Sequence, residues 1–144
     1  MSRWQKLVEH AEQQTESSSQ ALAAMRQQIA TVEAQREQMQ AYRLDYAQRA
    51  AQPGTVSSIR HLNVVRTFGD QVQLTVDELD KQLQAMRDRY QSLRDVWNGH
   101  YKREQALRAL QRLDEKKAAL KQERLRRREE DDFSLQVKRR RDAN

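Results

Sequence analysis

No cysteine, one proline and three glycines occur in 144 residues, and aromatic side chains make up only 6%. Without cysteine there is neither a disulfide framework nor a thiolate to complete a zinc site. With so few aromatics, and with alanine supplying much of the 37% apolar share, the chain cannot fill the core that a globular domain of this length normally buries. The scarcity of proline and glycine leaves few places where a helix would break. Ala, Leu, Glu, Gln, Lys and Arg dominate, and these residues lose little rotamer freedom in a helix. Long helices are therefore expected. The chain also lacks a long apolar run: Ala21 to Met25 is about a quarter of the roughly 18 residues that a membrane span needs. Met1-Ser2-Arg3-Trp4 leads into polar sequence with no apolar signal region, so a cytoplasmic protein is expected.

One third of the residues are charged, a level that can signal disorder, but disorder does not keep apolar residues at heptad spacing. The net charge of +6 is unevenly placed: residues 101–144 carry 15 Lys/Arg against 9 Asp/Glu, and the remainder carries 12 of each sign. The whole excess lies in the C-terminal third.

Gln52-Pro53-Gly54-Thr55 is the strong interruption in the first two thirds, because proline disfavours helix at the preceding residue and glycine permits positive φ. The chain is expected to reverse there, with Ser57 or Ser58 capping a following helix. Before the turn, a seven-residue column runs Trp4, Ala11, Ser18, Met25, Val32, Met39, Tyr46, flanked by Val8, Thr15, Leu22, Ile29. After it, Val65, Val72, Leu79, Met86, Leu93, His100, Leu107 is flanked by Leu62, Gly69, Val76, Leu83, Tyr90, Trp97. Each stripe is too narrow to bury except against another helix. The expectation is an all-α fold: an antiparallel two-helix coiled-coil hairpin with unequal arms and a C-terminal helical overhang. Its parts are a first helix over about 3–51, a turn over about 52–57, a second helix over about 58–133 and a basic tail over 134–144, all in one domain. Ser18 and Thr15 weaken the first seam around Glu12 to Gln20. Asn98-Gly99 is a turn signal, but the columns keep register across it and one helical glycine costs only about 1 kcal/mol. Pairing outward from Pro53-Gly54 sets Trp4 near Arg103 and leaves Leu107, Leu110, Leu113 and Leu120 without an intramolecular partner.

Catalytic signals are missing. His10, His61 and His100 are isolated, and neither a glycine-rich phosphate loop nor a nucleophile elbow occurs. Neither an enzyme nor a metal or cofactor site is expected. Glu129-Glu130-Asp131-Asp132 lacks the glycine turn of a calcium loop and reads as a solvated helix end. In the basic stretch acids are interleaved with bases, which favours acidic protein surfaces over nucleic acid. Aromatics on a seam are usually core, as for Trp4, Trp97 and Tyr90. Tyr42, Tyr46 and Phe68 bracket the turn, where two thin helices cannot cover three rings, and they mark a contact site.

Tyr42-x-x-x-Tyr46 before the turn, Phe68 followed by Val72, Val76 and Leu79 after it, then Trp97, Leu107 and Leu110, and the ending Asp131-Asp132-Phe133 before a basic stretch, resemble the FliJ family of flagellar type III export. The resemblance implies a non-enzymatic cytoplasmic stalk that is peripheral to the inner membrane at the export apparatus. In that picture it inserts into the hexameric export ATPase, binds the export gate protein FlhA and escorts unladen export chaperones. The gate-binding residues it implies are Gln35, Met39, Tyr42, Tyr46, Phe68, Val72, Thr75 and Leu79. Met39 and Val72 stand where leucine is expected, Leu79 where histidine is typical, and Thr75 replaces a small apolar residue. The ATPase ring would meet Arg124, Arg126, Arg127 and Arg128, with Leu113 and Leu120 beside them, through carboxylates lining the ring. The alternatives are the injectisome counterpart of the stalk and a generic coiled-coil scaffold. An intramolecular hairpin would be a monomer in isolation, whereas a scaffold would dimerise with concentration.

Overall fold

The computed structural model describes residues 3–52 and 59–143. Two helices make up nearly all of this: α1 spans Arg3–Ala50 and α2 spans Ile59–Ala143. No strand occurs among the described residues, and none of their helices is long and apolar enough to cross a membrane. The expected turn at Pro53-Gly54 and the caps at Ser57 or Ser58 lie outside the described residues. At its end α1 tightens, the Ala51 N–H donating to the carbonyls of both Ala47 and Gln48 at 3.1 and 3.2 Å, which satisfies acceptors that a helix end otherwise leaves open.

The second helix outruns the expected end near residue 133 and continues through the stretch read as a basic tail. Nothing after Gly99 breaks it, and Arg140 and Arg141 in its last turn face the negative end of the helix dipole. Asn98-Gly99 is helical too. A Cβ added at Gly99 meets nothing within 4 Å, so no close approach demands this glycine.

The chain divides into two compact units, residues 16–98 and residues 1–15 with 99–144, and the division on α1 falls where Thr15 and Ser18 thin the seam. In the 16–98 unit the helices are antiparallel: moving back along α1, Tyr46 meets Phe68, Arg43 meets Gln73, Arg36 meets Asp80, Glu33 meets Arg87 and Arg26 meets Tyr90. Met25, Val32, Val72, Val76 and Leu83 are buried between them, with Val76 the most enclosed at 1% exposure. Leu22, Ile29, Met39, Tyr46, Val65, Leu79, Met86, Leu93, Tyr90 and Trp97 are half-buried, as one flank of a two-helix seam must be. Leu62 is the exception on its column at 57% exposure. Tyr46 lies about one turn before the end of α1, whereas Phe68 lies about two and a half turns after the start of α2. The first turns of α2, with Ile59, Leu62 and Val64, therefore project past α1 and stay exposed.

In the other unit Val8 and Ala11 are buried together with Glu104, and Arg108 bridges Glu12 and, at 3.7 Å, Glu104. This corrects the expected register. Glu12 already faces Arg108, so Trp4, about two turns closer to the N-terminus, lies level with residues beyond Arg108 and not with Arg103. Leu107 is accordingly half-buried rather than partnerless, while Leu110, Leu113 and Leu120 are exposed as expected. Within the 16–98 unit the projection of α2 past α1 likewise sets the pairings at higher numbers on α2 than expected. From Arg112 to Ala143 each residue is exposed except Glu123.

Candidate functional site

The two long sides of the seam in the 16–98 unit differ in chemistry. Arg26, Glu33 and Gln40 follow directly after the seam residues Met25, Val32 and Met39, and on α2 Gln73, Asp80, Arg87 and Arg94 follow after Val72, Leu79, Met86 and Leu93. In an antiparallel pair these two rows meet on one side. The cross-helix bonds fall there: Arg36 to Asp80, Arg43 to Gln73, Arg87 to Glu33 at 3.1 Å and Arg26 to the Tyr90 hydroxyl at 2.9 Å. Asp80, by accepting from Arg36, raises that guanidinium's pKa above its ordinary value. The opposite side presents Gln28, Gln35 and Tyr42 on α1 with Phe68, Thr75 and Gln82 on α2, an uncharged stretch that ends where the same rows reach Arg49 and Arg89.

The residues that the resemblance assigns to the export gate fall on this uncharged side or on the seam beside it. Gln35, Tyr42, Phe68 and Thr75 occupy the outer rows, and Met39, Tyr46, Val72 and Leu79 the adjoining columns. Tyr42 is 56% exposed, and its hydroxyl accepts from Gln38 Nε2 at 3.5 Å. Tyr46 and Phe68 join across the seam, with ring centroids 4.5 Å apart and planes tilted by 50°. Thr75 donates to the carbonyl of Gln71 at 3.2 Å, one turn back, which leaves its methyl outward. Val72 is buried and acts from beneath, by supporting the others. Two of the three bracketing rings thus touch, and Tyr42 offers the open edge.

The residues assigned to the ATPase ring lie on the exposed part of α2 in the other unit. Arg126 and Arg127 converge on Glu123 at 3.1 and 3.5 Å, whereas Arg124 and Arg128 make no ion pair among the described residues. Leu113 and Leu120 are exposed alongside. Such pairs along a helix surface are weak and hold the two guanidinium groups only loosely. Among the described residues no cluster of acids and histidines could hold a metal ion.

Tyr90, read from its column as core, also accepts a charged donor. Arg26 hydrogen-bonds its hydroxyl and lies 5.9 Å from the ring centroid. That bond, with the charges of Arg26 and Arg94 behind it, holds the phenol below its ordinary pKa. The available signal was the absence of any acid one turn away from either arginine.

No curated protein and no solved structure matches the chain. The family described as Flagellar FliJ protein matches residues 1–143, nearly the full length. The chain belongs to the FliJ family and is a helical coiled-coil protein of flagellar export.

Proposed function

We propose that the protein is a non-enzymatic, cytoplasmic coupling element of the flagellar export apparatus, held peripherally at the inner membrane through its partners. Residues 112–143 insert into the hexameric export ATPase. The uncharged side around Tyr42, Tyr46 and Phe68 binds the export gate protein FlhA, and the same molecule escorts export chaperones that have released their cargo. The observation that carries this reading is the stretch of α2 beyond Gln111, exposed at every residue but Glu123 and bearing the clustered Arg124, Arg126, Arg127 and Arg128. A single helix has no six-fold symmetry, so it cannot contact six subunits equivalently, and sequential engagement follows. Charge-assisted bonds from these arginines to ring carboxylates make the affinity fall as salt rises. The FliJ match favours the flagellar system over its injectisome counterpart.

The test is capture of the flagellar ATPase and of the cytoplasmic domain of FlhA by the full chain. Reversing Arg124, Arg126, Arg127 and Arg128 to glutamate is expected to abolish ATPase capture and stimulation and to leave gate capture intact. Replacing Tyr42, Tyr46 and Phe68 by alanine is expected to do the reverse. ATPase stimulation that survives the charge reversal refutes the ring assignment, and gate capture that survives the triple alanine variant refutes the patch.

A further inference from the structure

Three arginines that cross between the helices end on carboxylates: Arg36 on Asp80 and Arg87 on Glu33 in the 16–98 unit, and Arg108 on Glu12 in the other. Two others end on neutral groups: Arg43 on the Gln73 amide oxygen, and Arg26. The Arg26 guanidinium donates to the Tyr90 hydroxyl, which is neutral at physiological pH and cancels no charge. Arg94, one turn beyond Tyr90 on α2, adds a second cation. Neither arginine has a carboxylate one turn away on its own helix: Arg26 is flanked by Leu22, Ala23, Ile29 and Ala30, and Arg94 by Tyr90, Gln91, Trp97 and Asn98. Neither makes an ion pair among the described residues. Both line an open cleft of about 410 Å³ between the helices, with Leu22 and Trp97 as its apolar wall and Ser19 at its edge. Two cations in one cleft repel each other, and the neutral phenol between the helices offsets neither charge.

We infer that this cleft is a binding site for an acidic, amphipathic helix of a partner protein, with Arg26 and Arg94 gripping a carboxylate and Leu22 and Trp97 receiving an apolar side chain one turn along it. The planar guanidinium fork suits a carboxylate in bidentate geometry. The apolar wall beside the two arginines selects a peptide over a free inorganic anion, for which half of the cleft would be the wrong solvent. The groove between two parallel-sided helices is open lengthwise, as an added helix requires. The site lies on the charged side of the seam, opposite Tyr42, so it is separate from the patch assigned to the gate and from the arginines assigned to the ATPase ring.

The cleft contains its own reporter. In the full chain with Trp4→Phe, Trp97 is the remaining tryptophan, and its fluorescence reads occupancy. The probe is a synthetic blocked helical peptide of about 15 residues with glutamates on one stripe and leucines beside them, titrated at low salt. A saturable change is expected, weakened about tenfold or more by Arg26→Gln with Arg94→Gln, weakened by salt, and lost when the peptide's glutamates become glutamines. Lys81→Gln, an exposed cation outside the cleft, leaves the titration unchanged. Helicity measured in parallel shows that the double variant is folded. The inference is overturned if the peptide fails to bind at low salt, if the glutamine peptide or the double variant binds as well as the parent pair, or if pyrophosphate alone saturates the signal at lower concentration than the peptide, which would make the cleft a phosphate site.

Discussion

Residues 16–98 and residues 112–143 draw on the same helix-forming vocabulary, yet the first stretch forms two helices sharing a seam and the second a helix in which no residue is buried. Propensity explains why both are helical; the columns explain why only one is paired. On α2 the column Tyr90, Trp97 continues into Glu104 and Gln111, and the column His100, Leu107 continues into Asp114 and Lys121. The first column turns polar at Glu104, which is still buried, and the second at Asp114, where burial has stopped. Leu110, Leu113 and Leu120 lie off those columns and so cannot extend the seam. The lone stretch keeps apolar side chains in water without a structural return, which is the signature of a surface kept for something else.

The largest expected effect sharpens this contrast. Leu83 is 2% exposed at the centre of the seam, and Leu83→Ala removes its methyl groups from a site that cannot collapse fully, costing about 2–5 kcal/mol in denaturant unfolding. Leu120→Ala touches nothing within the chain and is expected to change stability by no more than about 0.5 kcal/mol. Equal losses from the two leucines would break the distinction between a paired and an unpaired region. Capture of the export ATPase should be ordered the other way round.

Much of this architecture was legible in the sequence, because a heptad column is a direct statement about which side chains share a face. The columns named the buried residues Val8, Ala11, Met25, Val32, Val72, Val76 and Leu83, and Leu62 alone of their members is exposed. Register was not legible. It depends on how far α2 projects beside the turn, and a period of seven is satisfied by any shift of a whole heptad. The end of α2 was hidden too, since a charged tail reads the same whether solvated as coil or as helix. For the candidate site, the bracketing of the turn marks Tyr42, Tyr46 and Phe68, but not the fact that the cross-helix polar bonds gather on one side of the seam. That sorting appears only once the helices are known to be antiparallel and the two rows are brought together. The arginines of the cleft do not stand out in the sequence, because Tyr90 sits on a seam column and reads as core.

A second contrast concerns Gly99. It is exposed, helical, and has open space where a Cβ would stand. Gly99→Ala is therefore expected to raise stability by about 1 kcal/mol, seen as a higher midpoint in thermal or urea unfolding. A fall would show that the backbone at the junction of Asn98 and Gly99 needs glycine's freedom, and the stretch would then differ from the helices on either side.

The charged side of the seam offers a smaller effect. Arg36 and Asp80 are each more than a third exposed, so a double-mutant cycle with Arg36→Gln and Asp80→Asn is expected to give less than about 1 kcal/mol, shrinking as salt is added. The ring pair of Tyr46 and Phe68 contains no ions, and its coupling should be indifferent to salt. If both couplings respond alike, the division of the seam into a charged and an uncharged side has no energetic content.

The smallest effect is invisible at neutral pH. The Tyr90 phenol is held below its usual value of 10.0, first by the hydrogen bond from Arg26 and then by the charges of Arg26 and Arg94. A depressed acid stabilises the fold only when ionised. The contribution grows as pH rises through the folded-state value, is complete above 10.0, and vanishes as pH falls back toward neutrality. In an alkaline titration followed by phenolate absorbance, one of the four tyrosines is expected to ionise ahead of the others. Tyr90→Phe should remove that leading step, and Arg26→Gln should move it back toward the rest. A titration in which all tyrosines ionise together, unaltered by Arg26→Gln, would mean that Arg26 does not engage the hydroxyl in solution. The charged side of the seam would then lose the feature that sets this cleft apart from the ion pairs of Arg36 and Arg87.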